Sequence, residues 1–148
     1  MSDAVAANPI LAPAAALVAW TLFMLLWLVL TRLPAMHRAG VNLFGTLPGS
    51  RRGADLDGVL PDRVMWKSHN YTHLHEQPTL FYAVVAILAI EGGYAVLDVR
   101  LAWAYVAFRV AHSLVQAVIN YVPLRFALFG GGTLCLLGLV YSALRLTL

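Results

Sequence analysis

Long stretches of apolar residues, separated by short polar segments, dominate the chain. Residues 10–30 and 126–144 carry no charged side chain, whereas two further apolar segments, residues 65–90 and 99–122, contain interspersed polar residues. About 20 consecutive apolar residues span a bilayer as a helix, and only helices or closed barrels satisfy their backbone groups in lipid. These segments are long and do not alternate as barrel strands do. The pattern therefore predicts an all-α integral membrane protein built as a four-transmembrane-helix bundle.

The composition supports the same class of protein. Of 148 residues, 61% are apolar and 11% are charged, whereas soluble domains have about 25% charged residues. The length allows one domain, which we expect to cover residues 1–148. The basic residues are not clustered with aromatic ones on a polar face, so we expect no nucleic-acid partner. The single cysteine, Cys135, excludes an internal disulfide framework.

The basic residues are distributed unequally along the chain. None precedes the first apolar segment and only Arg100 lies between the second and third segments, whereas residues 31–64 hold five of the ten Lys and Arg residues. Loops rich in Lys and Arg tend to remain in the cytoplasm. We therefore expect loop 31–64 in the cytoplasm and both termini on the opposite side of the membrane. The basic residues of this loop are Arg32, Arg38, Arg51, Arg52 and Arg63.

The fourth apolar segment is rich in small residues. It contains Gly-Gly-Gly at positions 130–132 and Gly138, which lies four residues before Ser142. Small residues at such spacing allow helices to approach closely in lipid. We expect this helix to pack closely against a neighbour.

The second apolar segment begins with a stretch of polar chemistry, "WKSHNYTHLHEQPTLFY" at residues 66–82. At 3.6 residues per turn, Asn70, His73 and Gln77 share one face of a helix. Pro78 would lie inside this helix, where it removes a backbone hydrogen bond and produces a kink. The segment is polar before this proline and apolar after it, so the polar half is expected at the cytoplasmic side.

The third segment carries a matching polar stripe. Arg109, His112, Gln116 and Asn120 are spaced three, four and four residues apart, and Ser113 follows His112. A charge in the middle of a span normally faces protein or water. Glu76 is the only acidic residue within the predicted spans, so the simplest interpretation pairs Arg109 with Glu76. The two stripes would then line a cytoplasm-facing pocket for an anionic or zwitterionic ligand. The alternative is that the stripes only hydrogen-bond to each other and hold neighbouring helices together.

Two other kinds of site are less well supported. His69 and His73, with Glu76, resemble half of a metal site, but helical two-metal sites need carboxylates from several helices. We therefore predict no metal site. A nucleophilic triad is not indicated either, because Ser113 and His112 are adjacent in sequence and do not face each other on a helix.

Two motifs resemble a known family. The stretch "NYTHLHEQPTLFY", followed about 30 residues later by "FRVAHSLVQAVINYVPLRF", resembles the bacterial branch of the MAPEG family, the membrane-associated proteins of eicosanoid and glutathione metabolism. The resemblance covers residues 10–146. It implies a homotrimer in the bacterial inner membrane, with active sites between subunits near the cytoplasmic side. It also implies glutathione as co-substrate and a hydrophobic electrophile or peroxide, entering from membrane lipid, as second substrate.

The resemblance also suggests roles for individual residues. Substrate-binding positions match Asn70, His73, Glu76, Arg109, His112 and Gln116. Arg109 would bind a glutathione carboxylate, and Arg125 resembles an arginine that helps to activate the thiol in some members, so both are predicted catalytic residues. The chain departs from the family pattern at three places: Lys67 and His69 replace arginines, His73 stands three residues after Asn70 where an acid is usual, and Gln116 replaces a tyrosine. An alternative interpretation is therefore a non-catalytic lipid-binding or structural membrane protein of the same fold.

Overall fold

The computed structural model describes residues 8–41 and 56–148, and all regular structure within these residues is helical. The helices are α1 (Leu11–Arg38), α2 (Asp62–His73), α3 (Gln77–Glu91), α4 (Val96–Val118) and α5 (Val122–Thr147). The all-α prediction is confirmed. Part of the predicted cytoplasmic loop, including Arg51 and Arg52, lies outside the described residues.

Helix α1 continues well past the predicted end at residue 30. Its 28 residues measure about 42 Å at 1.5 Å per residue, which exceeds the bilayer core of about 30 Å. The additional turns contain Pro34 and bury Met36 against Leu56, Leu60 and Met65. This second apolar cluster explains why residues 31–38 are helical rather than part of the predicted loop.

The predicted second helix, residues 65–90, is two helices. Helix α2 ends at His73, and α3 begins at Gln77 after a turn in which Glu76 has the non-helical angles φ −86° and ψ −96°. Pro78 lies in the first turn of α3, where its missing N–H would have no helical partner in any case. The prediction of an interior proline kink is therefore wrong, because the chain breaks the helix before the proline.

Within residues 8–41 and 56–148, three helices are long and apolar enough to cross a membrane: α1, α4 and α5. Helix α3 is apolar but has only 15 residues, about 22 Å, which is shorter than the bilayer core. The protein is thus a multi-pass helical membrane protein, and the described part of the chain holds three candidate spans. Helices α4 and α5 occupy the third and fourth predicted segments with shifted ends, since α4 stops at Val118 and α5 already begins at Val122.

Helices α4 and α5 pack closely along a seam of glycines. A Cβ atom built on Gly131 would lie 2.7 Å from the ring of Phe108, and one built on Gly138 would lie 2.9 Å from Leu101 Cδ1. The predicted close approach of the fourth segment to a neighbouring helix is confirmed. A core of buried apolar residues, among them Leu17, Phe81 and Leu139, then joins α1, α3 and α5 to α4.

Helix α2 lies against the C-terminal half of α4. Lys67 Nζ donates to the backbone carbonyl of Arg63 at 2.7 Å and to that of Ala117 at 3.4 Å, and it lies 5.2 Å from the centroid of a Trp27 ring. This contact places the polar face of α2 on the polar stripe of α4 and so positions the candidate site.

Candidate functional site

The polar stripe is buried where it lies within α4, whereas Asn120 lies beyond the end of this helix and is partly exposed. Ser113 is fully buried, and Arg109 is 2% exposed, with His112 and Gln116 only slightly more so. A charged side chain in a membrane helix is far more costly against lipid than against protein. The burial confirms the inward orientation that the residue spacing predicted.

His112 connects α4 with the beginning of α5. Its Nδ1 lies 3.0 Å from the backbone carbonyl oxygen of Arg125, and its Nε2 lies 3.2 Å from Oε1 of Gln116. A carbonyl oxygen only accepts, so Nδ1 carries the proton and donates. A neutral ring then requires the Gln116 amide to be turned so that its nitrogen donates to Nε2. Both residues are thereby held in one orientation.

The side chain of Arg125 is held by the turn between α4 and α5. Its Nη1 donates to Asn120 Oδ1 at 2.6 Å, and Asn120 has a φ of 53°. Asparagine is one of the few residues other than glycine that occupy this left-handed region routinely. Asn120 therefore has two roles. Its backbone forms the turn, and its side chain orients the guanidinium group of Arg125.

Arg109 lies among aromatic side chains rather than beside an acid. Its Nε donates to the hydroxyl of Tyr105 at 3.1 Å, and its guanidinium carbon lies 5.6 Å from the ring centroids of both Tyr105 and Phe129. Its Nη2 atom is buried and has no hydrogen-bond partner among the described residues. The guanidinium group is thus only partly satisfied.

The predicted ion pair between Arg109 and Glu76 is wrong. The side chain of Glu76 is 60% exposed and accepts a hydrogen bond from His73 Nδ1 at 2.5 Å. No ion pair to Arg109 occurs within the described part of the chain. The prediction assumed a continuous helix, whereas the turn between α2 and α3 directs Glu76 outward.

Asn70 lies on the face of α2 that packs against α4. It is 1% exposed, and both atoms of its amide group lack a partner among the described residues. One turn away on each side, Lys67 reaches Ala117 and the ring of His73 lies 5.1 Å from that of His112. Asn70 therefore lies against the α4 segment between these two contacts, the segment that contains Ser113.

Asn70, Arg109 and Ser113 form what we call the unpaired cluster. Arg109 and Ser113 are one turn apart on α4, and the hydroxyl of Ser113 is also buried without a partner within the described residues. Buried polar groups are nearly always hydrogen-bonded, and each exception calls for an explanation. Together the cluster offers hydrogen-bond donors and one positive charge, which suits an anionic ligand.

The predicted site residue His73 and its neighbour on the same predicted face, Gln77, lie beside the cluster. The ring of His73 stacks on Phe129, with centroids 5.7 Å apart, and its side chain is 24% exposed. Gln77 donates to Thr133 Oγ1 at 2.9 Å and accepts from Tyr105 at 3.4 Å. His73 therefore lies between the buried residues and the outside of the subunit.

The sequence reasoning missed the aromatic partners of Arg109. Tyr105 stands one turn before Arg109, a spacing that could have indicated it. Phe129 lies on another helix, and no local pattern pointed to it.

No group of three His, Cys, Asp or Glu side chains is close enough to hold a metal ion within residues 8–41 and 56–148. The Nε2 atom of His69, which resembles half of a metal site together with His73 and Glu76, instead lies 3.0 Å from Asp57 Oδ1.

The fold and the site together define a helical membrane protein with a buried, basic, polar site near one end of its bundle. The chain matches the family model of the MAPEG family over residues 10–145 and belongs to that family. The family includes glutathione-dependent transferases and peroxidases. No curated protein and no solved structure matches the chain.

Proposed function

We propose that this MAPEG-family protein binds glutathione, or a related thiol with a carboxylate, at the unpaired cluster. The thiol is transferred to a hydrophobic electrophile or used to reduce a peroxide. The observation that carries the proposal is Arg109, a buried guanidinium group with a free Nη2 and no acidic partner among the described residues.

The energetics of the cluster favour a ligand. Leaving a buried donor or acceptor without a partner costs about 1–3 kcal/mol, and the cluster contains four such atoms. A carboxylate accepts two parallel hydrogen bonds from a guanidinium group and has further acceptor positions for an amide or a hydroxyl. A thiol peptide with carboxylates would therefore satisfy Arg109, Asn70 and Ser113 together.

The chemistry needs a thiolate, because the thiolate and not the thiol is the nucleophile. A nearby cation lowers the pKa of a thiol, and we assign this role to Arg125, which Asn120 orients. The thiolate sulfur forms a bond to an electrophilic carbon, and a leaving group departs or a carbanion is protonated. With a peroxide, the sulfur attacks one oxygen, the O–O bond breaks, and the alcohol leaves. A second thiol then converts the resulting sulfenic acid to a disulfide and water.

His73, His112 and Gln116 would line the thiol site, and Glu76 would lie at its exposed edge.

The assembly belongs to the proposal as well. We propose a homotrimer in the bacterial inner membrane, with four crossings per subunit and the connection between α1 and α2 in the cytoplasm. Support comes from α2 and α3, which together have the length for a fourth crossing. Further support comes from His73, which is partly exposed beside the site. A neighbouring subunit could complete the site there.

The decisive experiment is glutathione binding to the detergent-purified protein, measured by calorimetry. Arg109→Gln removes the buried charge, and Arg100→Gln makes the same change at an exposed position of the same helix. We expect saturable binding by the wild type and Arg100→Gln, and at least roughly tenfold weaker binding by Arg109→Gln. A folded wild type that binds no thiol, or equal binding by both variants, would contradict the proposal.

A second candidate is a non-catalytic lipid-binding protein. An apolar cavity of about 470 Å³ lies on α1, and its lining includes Trp20, Trp27 and Leu114. The indole N–H of Trp20 is buried without a partner among the described residues. This reading predicts lipid that co-purifies with the protein and no response to thiols. A purely structural role predicts neither, with Arg109→Gln acting on stability alone.

A further inference from the structure

A groove lies at the opposite end of the bundle from Arg125, where α4 begins and α5 ends. Its volume is about 350 Å³, and its lining includes Asp98 from α4 and Arg145 from α5. It shares no lining residue with the unpaired cluster. Because Asp98 stands in the first turn of α4 and Arg145 in the last turn of α5, the groove lies at the level where two membrane spans reach water.

Asp98 is a buried acid that is fixed in orientation but has no cationic partner. It is 4% exposed, Oδ1 accepts from the hydroxyl of Ser142 at 2.6 Å, and Oδ2 accepts from the backbone N–H of Ala95 at 2.7 Å. No Lys, Arg or His of the described residues forms an ion pair with it. A carboxylate has about four acceptor positions, so two remain. Acidic side chains are almost never this buried unless they are paired.

Arg145 supplies the opposite charge on the same groove. Its side chain is exposed, and its guanidinium carbon lies 5.9 Å from the ring centroid of Tyr141, one turn earlier on α5. It forms no ion pair with a carboxylate among the described residues. A guanidinium group in this state is free to bind a phosphate through two parallel hydrogen bonds.

The remaining lining is mostly apolar. Leu97, Leu101 and Leu146 form walls, and Gly93 and Gly138 bring the backbone so close that a Cβ atom would lie 2.8 Å from Leu146 Cδ2 and 2.9 Å from Leu101 Cδ1, respectively. The groove thus combines an acidic position, a basic position and an apolar wall at a membrane boundary. A phospholipid with a zwitterionic headgroup has the same three features.

We propose that this groove binds a phospholipid whose headgroup carries a primary ammonium, as in phosphatidylethanolamine. The ammonium donates hydrogen bonds to the two free acceptor positions of Asp98, the phosphate binds Arg145, and an acyl chain lies along the leucine wall. A quaternary ammonium has no N–H to donate, and an anionic headgroup without an amine would place a negative charge near Asp98. Both should bind more weakly.

The test is lipid retention by the purified full chain, measured by native mass spectrometry from mixed micelles. Phosphatidylethanolamine, its N-monomethyl and N,N-dimethyl forms, phosphatidylcholine and phosphatidylglycerol are compared with identical acyl chains. We expect retention of phosphatidylethanolamine to exceed that of phosphatidylcholine and phosphatidylglycerol by roughly tenfold, falling with each added methyl group. This series tests the proposal without any substitution in the protein.

Substitutions assign the two contacts. We expect Asp98→Asn to remove the preference for the amine, and Arg145→Gln to weaken retention of every phospholipid. Arg100→Gln, an exposed arginine on α4 that does not line the groove, should change nothing. If Asp98→Asn fails to fold, the methylation series and Arg145→Gln still test whether the groove binds this lipid. Equal retention of all headgroups would overturn the proposal. The proposal would also be overturned if Arg145→Gln retained lipid like the wild type. The same holds if a second copy of the chain closed the groove and the protein retained no lipid.

Discussion

Helix α4 buries two charged side chains, and their surroundings differ. Asp98, near its beginning, has a hydrogen bond at each oxygen, one to the helix cap and one to α5. Arg109, eleven residues later (109 − 98), has one hydrogen bond, to Tyr105, and leaves Nη2 without a partner among the described residues. Both side chains are less than 5% exposed.

This difference separates a side chain whose hydrogen bonds hold the subunit together from one that retains an unsatisfied polar atom. The hydrogen bonds of Asp98 join α4 to its own cap and to α5, so they contribute to the stability of the subunit. Asn70 on α2 and Ser113, one turn along α4 from Arg109, also have buried polar atoms without partners among the described residues, and such atoms reduce stability unless a partner satisfies them. We therefore expect substitutions that remove the internal hydrogen bonds of Asp98 to affect unfolding, and substitutions near Arg109 to affect thiol binding more than unfolding.

The largest effect on stability is expected for Asp98→Ala. The change removes the acceptors of Ala95 N–H and of Ser142 Oγ at once, so the free energy of unfolding should fall by about 2–4 kcal/mol. Denaturation in detergent, followed by circular dichroism, measures it. An unchanged unfolding midpoint would show that the hydrogen bonds of Asp98 do not stabilise the subunit. The proposed difference between Asp98 and Arg109 would then be wrong.

The next largest effect on stability is expected at the glycine seam, where α5 packs against the part of α4 between Asp98 and Arg109. Gly131→Ala places a Cβ atom 2.7 Å from the Phe108 ring, and such overpacking costs about 1–3 kcal/mol. Gly130→Ala is the matched control, because nothing lies within 4 Å of its added Cβ, and alanine favours helix by about 1 kcal/mol. The two variants should shift the unfolding midpoint in opposite directions. Equal shifts would contradict the close approach of α4 and α5.

Asn120 tests the turn that orients Arg125. Asn120→Gly keeps the left-handed backbone and loses only the hydrogen bond, whereas Asn120→Ala loses the bond and adds strain. The free energy of unfolding of Asn120→Ala should therefore be lower than that of Asn120→Gly by about 1–2 kcal/mol. If both variants unfold at the same denaturant concentration, the backbone strain at this turn is negligible.

The smallest effect, and the one of opposite sign, is expected for Ser113→Ala. Its hydroxyl is buried without a partner among the described residues, so its removal should leave stability unchanged or raise it by up to about 1 kcal/mol. The same change at Ser142, which donates to Asp98, should lower stability. In calorimetry, Ser113→Ala should also weaken thiol binding. A destabilised Ser113→Ala protein would indicate that the Ser113 hydroxyl stabilises the fold. The surroundings of Asp98 and Arg109 would then not differ in the way described.

Two features of the second apolar segment show where reasoning from local sequence fails. The spacing of Asn70 and His73 placed both residues on the side of α2 that meets α4, as the structure has them. Pro78 predicts an interior kink if residues 65–90 form one helix, although proline is equally typical of the first turn of a helix. The resulting continuous helix led to the pairing of Glu76 with Arg109, and that pairing is wrong because the chain turns at Leu74–Glu76.

The membrane class, the family, the inward stripe of α4 and the close approach of the glycine-rich segment to a neighbouring helix all followed from the amino-acid order. Each depends on local properties, namely the length of apolar runs, the helical period and the size of single side chains. The partners of the buried charges did not follow from it. That Arg109 lies between Tyr105 and Phe129, and that Asp98 and Arg145 line one groove, depends on how α5 packs along α4, because these contacts join residues far apart in sequence.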